Sequence, residues 1–389
     1  MTLKFSLDEI LGRAASSGAV PGVVAMVTDR KGTLYEGAFG HRVLGDSAAM
    51  TVDTVGWIAS MTKAITGAAC MQLVEQSRID LDSPAMQWVP QLAEARVLEG
   101  FDDAGQPVMH APRRPITLRH LLTHTAGFGY EFWSAETGRY QSATGTPSII
   151  SCTQAALMQP LLFEPGERWC YGINIDWAGK IVEAVSGHKL GVYLAENLFA
   201  PMGMHDTAFR IRPDMRERLA KIHHRDDNGK LAAGELEIEQ NPESEMGGGG
   251  LYGTVGDYLK FVRMILNDGQ AEGGRVLKAE TVQQMSRNAM GDLRVTMLTS
   301  QMPPITNDAE FFPGAPKSWG LSFQINEAAT PTGRPAGQLM WAGLANTYYW
   351  IDRQTGVGGA YMTQIMPFGD VKSLPLYYEF ESAVYRSMR

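Results

Sequence analysis

Three cysteines in 389 residues, Cys70, Cys152 and Cys170, are too few and too scattered for a disulfide framework, and no C-x-x-C pair offers a zinc or redox site. They are expected as buried thiols in a reducing compartment. Basic charge is in deficit: 34 Lys and Arg against 42 Asp and Glu leave a net charge of −8 without any basic block. That balance argues against a nucleic-acid partner, whose phosphates must be met by clustered cations. No stretch approaches the roughly 20 apolar residues that cross a bilayer, so no membrane partner is expected. The first segment carries Asp8 and Glu9 where a signal peptide would need its apolar centre, and it reads as a short amphipathic helix. A cytoplasmic location is the expectation. A G-x-S-x-G elbow is missing too, which argues against the common α/β-hydrolase arrangement. His120 and His124 have the i, i+4 spacing of a helical metal pair, but the intervening glutamate and a third ligand are lacking. They read as helix-end histidines bonded to backbone carbonyls, His223-His224 reads as part of a polar loop, and no metal or cofactor is expected.

What is present is a chain with 44% hydrophobic residues, long enough for a large core. Gly22 to Thr28 and Thr33 to Gly40, separated by Asp29 to Gly32, read as a hairpin. Thr347 to Asp352 and Val357 to Ile365 repeat that pattern near the other end, followed by a helical stretch from Leu374 to Met388. Between them the periodicity is helical over Ser60 to Gln76, Leu118 to Thr123, Asp176 to Ser186 and Val255 to Asn267. The natural architecture is an α/β unit built from residues 1–59 and 250–389, with a mostly helical unit, 60–249, inserted between and the active site at their junction. The run Met246 to Gly250 lacks the Lys-Ser/Thr of a phosphate loop and reads as a tight backbone turn.

The sharpest chemical feature is Ser60-Met61-Thr62-Lys63 at the head of an apolar helical run. An i, i+3 spacing puts a hydroxyl and an amine on one helix face, and the positive end of the helix dipole favours a developing oxyanion and a lowered lysine pKa. With 20 Ser and 11 Lys, about one Ser-x-x-Lys is expected by chance, and a second copy does occur at Ser186-Gly187-His188-Lys189. That copy sits where a helix ends, with Gly187 as its C-terminal cap, so its serine points away from any helix N-terminus.

Context separates the two. Along nearly the whole chain the sequence resembles the class C β-lactamases and the family VIII carboxylesterases, within the wider penicillin-binding-protein-like serine hydrolases. The resemblance rests on Ile58 to Lys63, Ile79 to Pro90, Thr117 to Gly127, Pro165 to Tyr171 and Gly247 to Phe261. It implies a serine β-lactamase-like α/β (α+β) fold, an antiparallel sheet flanked by helices. It also implies catalysis by Ser60 as nucleophile with Lys63 and Tyr171 handling protons, the phenolate character of Tyr171 being favoured by the lysine cation. The family's third element, a strand with Lys-Thr-Gly or a variant, falls here on Trp341-Ala342-Gly343. An indole in place of that cation removes an anchor for a lactam's carboxylate and adds apolar surface. A Trp-x-Gly triplet is what family VIII esterases tend to show. After Tyr171 come Gly172 and Ile173, whereas the lactamases carry Tyr-x-Asn; Asn174 is one place too late.

The resemblance further implies an oxyanion hole from the backbone N–H groups of Ser60 and Leu344, and Gly343 allows the substrate carbonyl to approach the strand. Tyr130, Phe132 and Trp133, with Trp341, could wall an aromatic acyl pocket. The expected activity is therefore hydrolysis, or transesterification, of small to medium carboxylic esters through an acyl-Ser60 intermediate, with a small-molecule ester as partner. The alternatives are a class C-like β-lactamase, a D-amino-acid peptidase or acyltransferase, and a catalytically silent scaffold of the same fold. Joint retention of Ser60, Lys63 and Tyr171 argues against the last.

Overall fold

The computed structural model describes residues 2–388. Its framework is a seven-stranded antiparallel sheet drawn from the two ends of the chain. The principal elements are α1 (Leu3–Ser16), β1 (Gly22–Asp29), β2 (Thr33–Gly40), β3 (Val55–Trp57) and α2 (Thr62–Glu75). They continue with α3 (Asn174–Ser186), β4 (Tyr252–Thr254), α4 (Val255–Leu266), β5 (Lys317–Trp319) and β6 (Gln324–Asn326). The last are β7 (Gln338–Gly343), β8 (Thr347–Asp352), β9 (Val357–Met362) and α5 (Ser373–Ser387). The sheet order is β5-β6-β7-β8-β9-β1-β2, so β9 from the C-terminal hairpin pairs directly with β1 from the N-terminal one. Both hairpins and the helices on either side of them lie where the hydrophobic pattern puts them. Strands β5 and β6 and the full extent of β7 were not anticipated, because Gly, Pro and polar residues interrupt any alternation between 313 and 338.

Alternation along β8 assigns its two faces. Tyr348 and Trp350 point toward α5, where Tyr348 stacks on Tyr377 at 4.7 Å between centroids and Trp350 meets Phe380 edge-on at 5.8 Å. Tyr349 points the other way, to Tyr258 of α4 at 4.9 Å. Two glycines in β9 make this packing possible. A Cβ on Gly359 would lie 2.2 Å from the Trp350 ring, and one on Gly358 would lie 2.6 Å from Val262 of α4. Strand glycine here serves close approach of neighbouring groups.

Helix α2 is buried along nearly its whole length, from Thr62 to Leu73, as expected of a helix apolar all round rather than striped. It packs on α3, and a Cβ on Gly67 would meet Ser322 Oγ at 2.2 Å. The short pairing of β3 with β4 carries the chain into the start of α2 beside the glycine turn at 246–250. His223 and His224 belong to a strand, His223–Arg225, rather than to a polar loop; His223 is buried and its Nε2 accepts from the Leu44 N–H at 3.1 Å. Cys70 and Cys152 are buried, while Cys170 is only partly so. No helix among the described residues is long and apolar enough to cross a membrane.

One charge pair ties α5 to the loop after β6. The Arg334 guanidinium donates to both Glu381 carboxylate oxygens, at 2.8 and 3.2 Å, and both side chains are fully buried. Removing one partner leaves the other as an uncompensated buried charge. Glu381→Ala is expected to lower unfolding stability by about 3 to 5 kcal/mol in urea titration, whereas the double replacement Arg334→Met with Glu381→Leu should recover most of it.

Candidate active site

The chain enters the site through a backbone kink. Ala59, between β3 and α2, has φ +46°, a left-handed conformation that costs an alanine free energy and persists only where packing enforces it. The packing is visible: Ile58 N–H donates to the Leu251 carbonyl at 3.0 Å, and the Trp57 indole N–H donates to the Gly249 carbonyl at 2.7 Å. The kink delivers Ser60 to a short 3-10 turn, Ala59–Met61, that runs into α2, and Lys63 follows one turn later on the same face.

Lys63 is fully buried, and its amine donates to three acceptors. These are Ser60 Oγ at 3.0 Å, the Tyr130 hydroxyl at 2.9 Å and the Gly248 carbonyl at 2.6 Å. Burial pulls its pKa down to about 7, opposed by the negative charge of Asp176. Tyr171, at the end of the loop before α3, lies with its ring centroid 4.7 Å from the Lys63 nitrogen. Its hydroxyl faces Ser60 and accepts from the Trp341 indole N–H at 2.8 Å.

Several expectations change on this geometry. Burial raises the Tyr171 pKa, and the bonds from Ser60 and Trp341 only partly offset it, which favours the phenol form over the expected phenolate character. Tyr130 lines the pocket as anticipated, but its hydroxyl is also bound to the catalytic candidate Lys63. Trp341 supplies more than apolar surface, because its N–H is aimed at Tyr171. Gly343 is needed for a reason unseen in the sequence: a Cβ there would lie 2.3 Å from both the Ile58 carbonyl oxygen and Thr347 Oγ1. The end of β7 therefore packs on the nucleophile segment itself.

Asn174 is turned away from the pocket. Its amide nitrogen donates to the Phe128 carbonyl at 3.1 Å and to the Cys170 carbonyl at 3.3 Å, and lies 3.1 Å from His124 Nδ1. His124 thus meets a side-chain amide rather than a backbone carbonyl, and burial holds it neutral behind Tyr171. His120 Nδ1 accepts from the Thr117 N–H at 3.2 Å in a capping box, again not a carbonyl contact, with its pKa pulled down to about 4 chiefly by burial. Among the described residues no cluster of three or more His, Cys, Asp or Glu could hold a metal. In the second Ser-x-x-Lys, Gly187 closes α3 with φ +78°, and Lys189 lies beyond the helix end.

Two residues of the centre escaped the sequence reading. Asp176, fully out of water in the first turn of α3, accepts from the Gly248 N–H at 2.9 Å. Burial raises its carboxyl to about 6, against the Lys63 charge that lowers it. Gly248 belongs to the Met246 to Gly250 run, and a Cβ on it would stand 2.4 Å from Asp176 Oδ2. None of the four glycines at 247–250 has positive φ; at Gly248 close approach, not a left-handed turn, calls for glycine. An acid inside the otherwise uncharged and buried Ile173 to Ala178 stretch was the available signal for Asp176.

The pocket over Ser60 has an empty volume of about 530 Å³ including its mouth, and its wall is mostly aromatic and aliphatic: Tyr130, Phe132, Trp133, Tyr171, Trp341 and Phe368. It shares Trp57, Phe132, Ile150 and Leu344 with a wider groove of about 1140 Å³ on the same basis.

A family model described as Beta-lactamase matches residues 7–381. This chain belongs to the beta-lactamase family. Among its relatives, monacolin J acid methylbutanoyltransferase of Aspergillus terreus is 32% identical over 97% of this chain and 95% of that protein. Lovastatin esterase of Penicillium rubens is 30% identical over 98% of each. The solved structure of unliganded simvastatin synthase (LovD) from Aspergillus terreus superposes with a TM-score of 0.86 at 31% identity, covering 98% of both chains. The chain is an enzyme of the serine-hydrolase class within this family, with its beta-lactamase-like mixed α/β fold.

Gly343→Ala tests how tightly β7 seats the nucleophile. The added methyl meets backbone on one side, so the Ile58 to Ser60 segment must shift. Labelling of Ser60 by a fluorophosphonate, followed by intact-mass spectrometry, is expected to slow at least about tenfold, with a destabilisation of about 1 to 3 kcal/mol.

Proposed function

We propose that this chain is a serine carboxylesterase of the family VIII type, cleaving small to medium carboxylic esters through an acyl-Ser60 intermediate. The observation that carries the reading is Ser60 Oγ 3.0 Å from a buried Lys63 amine whose pKa is drawn down to about 7. A neutral amine at that distance can take the serine proton near neutral pH. As it does, Oγ attacks the ester carbonyl, and the oxyanion is met by the Ser60 and Leu344 backbone N–H groups. Tyr171, a protonated phenol, gives its proton to the departing alkoxide and regains one from Lys63. Water then attacks the acyl-enzyme as the same groups run in reverse. The site lies at the junction of the two units, 1–59 with 250–389 and 60–249. Three unpaired thiols fit a cytoplasmic, reducing setting.

Three features favour esters over β-lactams: the indole at 341 where a cation would hold a lactam carboxylate, the amide of Asn174 committed to carbonyls behind Tyr171, and an apolar pocket wall. A second reading, acyl transfer to an alcohol, is favoured by the groove joined to the pocket, which has room for an acceptor larger than water. The relatives include both an acyltransferase and an esterase, so their names do not separate the two.

The test is turnover of a p-nitrophenyl short-chain ester and of a chromogenic cephalosporin, with intact-mass detection of the acyl-enzyme. The ester should turn over rapidly and the cephalosporin should not, and Ser60→Ala should lose both turnover and adduct. Comparable opening of the cephalosporin would make the protein a lactamase, and absence of any reaction or label would favour the silent scaffold. Adding a bulky secondary alcohol should divert acyl groups into a new ester if the second reading holds.

Acid should stop the reaction. The reactive amine is the deprotonated form, so kcat/KM for a neutral ester is expected to rise with pH through about 7 and level off above it. A rate that is flat from pH 5 to 9 would remove Lys63 as the proton acceptor.

A further inference from the structure

Lys63 owes its position to a residue that touches neither Ser60 nor the pocket. We propose that Asp176 is a positioning residue of the acyl-transfer centre: it anchors Gly248, whose carbonyl holds the Lys63 amine against Ser60, and it supplies the counter-charge when that amine is protonated. The proposal rests on the reading of Lys63 as proton acceptor.

The geometry is a relay through one residue, Gly248, with its N–H on one side and its carbonyl on the other. Asp176 Oδ1 accepts from the Gly248 N–H at 2.9 Å, and the Gly248 carbonyl accepts from Lys63 Nζ at 2.6 Å. The peptide that carries the Gly248 N–H is held on its other side as well, since Thr66 Oγ1 donates to the Gly247 carbonyl at 2.7 Å. Gly248 thus has a fixed partner on its N–H side and α2 packed against the preceding carbonyl. Oδ2 of Asp176 is buried and has no hydrogen-bond partner among the described residues. A carboxylate kept in that condition is costly unless a cation compensates it through space. Two cations face it, Lys63 from α2 and Lys180 from its own helix; Tyr130, Tyr171 and Cys152 are the other titratable groups that feel its charge. Lys180 is already paired with Glu183 at 2.8 Å, which leaves Lys63 as the cation without another carboxylate.

The consequence is a division of labour across the reaction. When Lys63 takes the serine proton, a positive charge appears in a buried site. Asp176 is the fixed anion that stabilises that charge, while the Gly248 carbonyl keeps the amine in line with Oγ. No bond to Asp176 forms or breaks, and its proton count stays constant through the cycle.

Asp176→Asn separates the two contributions. The carboxamide oxygen can still accept from Gly248, but the charge is gone. Without that anion the Lys63 cation is less favoured, so the acid limb of the kcat/KM profile should move about one pH unit or more toward lower pH. Because the transferred proton is then held less well, plateau kcat should fall about tenfold with KM little changed. Asp176→Ala, which also releases the peptide, should lose about a hundredfold in kcat. A residue that merely stabilised the fold would not move the acid limb in that direction. An unmoved acid limb in a folded Asp176→Asn protein overturns the proposal.

Wild-type protein gives an independent reading should either variant fail to fold. The carboxylate and the amine should titrate as a pair, so the 13C shifts of the Asp176 carboxyl carbon and of Lys63 Cε, followed against pH by NMR, should each register both steps. Two curves with one unshared step each overturn the proposal. Absence of Ser60 labelling by a fluorophosphonate at every pH would instead overturn the underlying assignment of Ser60 and Lys63, so the two failures are distinguishable.

Discussion

A lysine amine with no exposure to water is the constraint around which the rest of this molecule is arranged. Burying an ammonium is expensive, and the cost is contained in two ways here. The pKa is drawn toward neutrality, and all three hydrogen-bonding directions find oxygen acceptors from three separate parts of the chain. Ser60 comes from the start of α2, Tyr130 from the loop before the 135–144 helix, and the Gly248 carbonyl from the turn before β4. The fold must bring all three to one point.

That requirement explains where glycine is spent. Gly248 lets Asp176 reach the peptide beside Lys63, Gly343 lets β7 lie against the Ile58 carbonyl, and Gly172 leaves room for the Phe128 carbonyl, from which a Cβ would stand only 2.2 Å away. In each case backbone meets backbone, or a carboxylate meets backbone, within a space that no side chain could share. Ala59 shows the same pressure from another direction. Its left-handed φ is retained because the β3–β4 pairing and the bonds to Gly249 and Leu251 determine the path on both sides.

Legibility in the sequence followed the range of the interaction. Ser60 and Lys63 are local partners at i, i+3, so the pair was visible in the sequence, although the family context was needed to prefer it to the second copy. The hairpins and the helices that frame them carry their own periodicity, so most of the framework was readable as well. Tyr171 and Trp341 needed the family resemblance, since nothing local announces that an indole N–H and a phenol separated by 170 residues are bonded. Asp176 and Gly248 were missed because their meaning lies in a contact across 72 residues. An acid in an otherwise uncharged helix turn and a glycine run were each visible, but neither implied the other. Burial was equally hidden. The resemblance sets a lysine near Tyr171 and so suggests phenolate character; enclosure of the ring pulls the other way.

The balance between hydrolysis and transfer has a related logic. On the proposed mechanism Lys63 and Tyr171 act identically on either nucleophile, since acylation passes a proton from the serine by way of the amine and phenol to the departing alkoxide, and deacylation returns one from the incoming hydroxyl by the same groups to Oγ. The catalytic residues therefore cannot choose between water and an alcohol. The choice falls to the surface around the acyl group, and that surface is mostly aromatic and aliphatic. An apolar wall offers water few fixed partners, whereas an alcohol with an apolar body gains from burying it along the adjoining groove. The indole at 341 contributes to that wall while its N–H bonds to Tyr171, so on the proposed reading a single residue would disfavour anionic lactams and favour neutral esters.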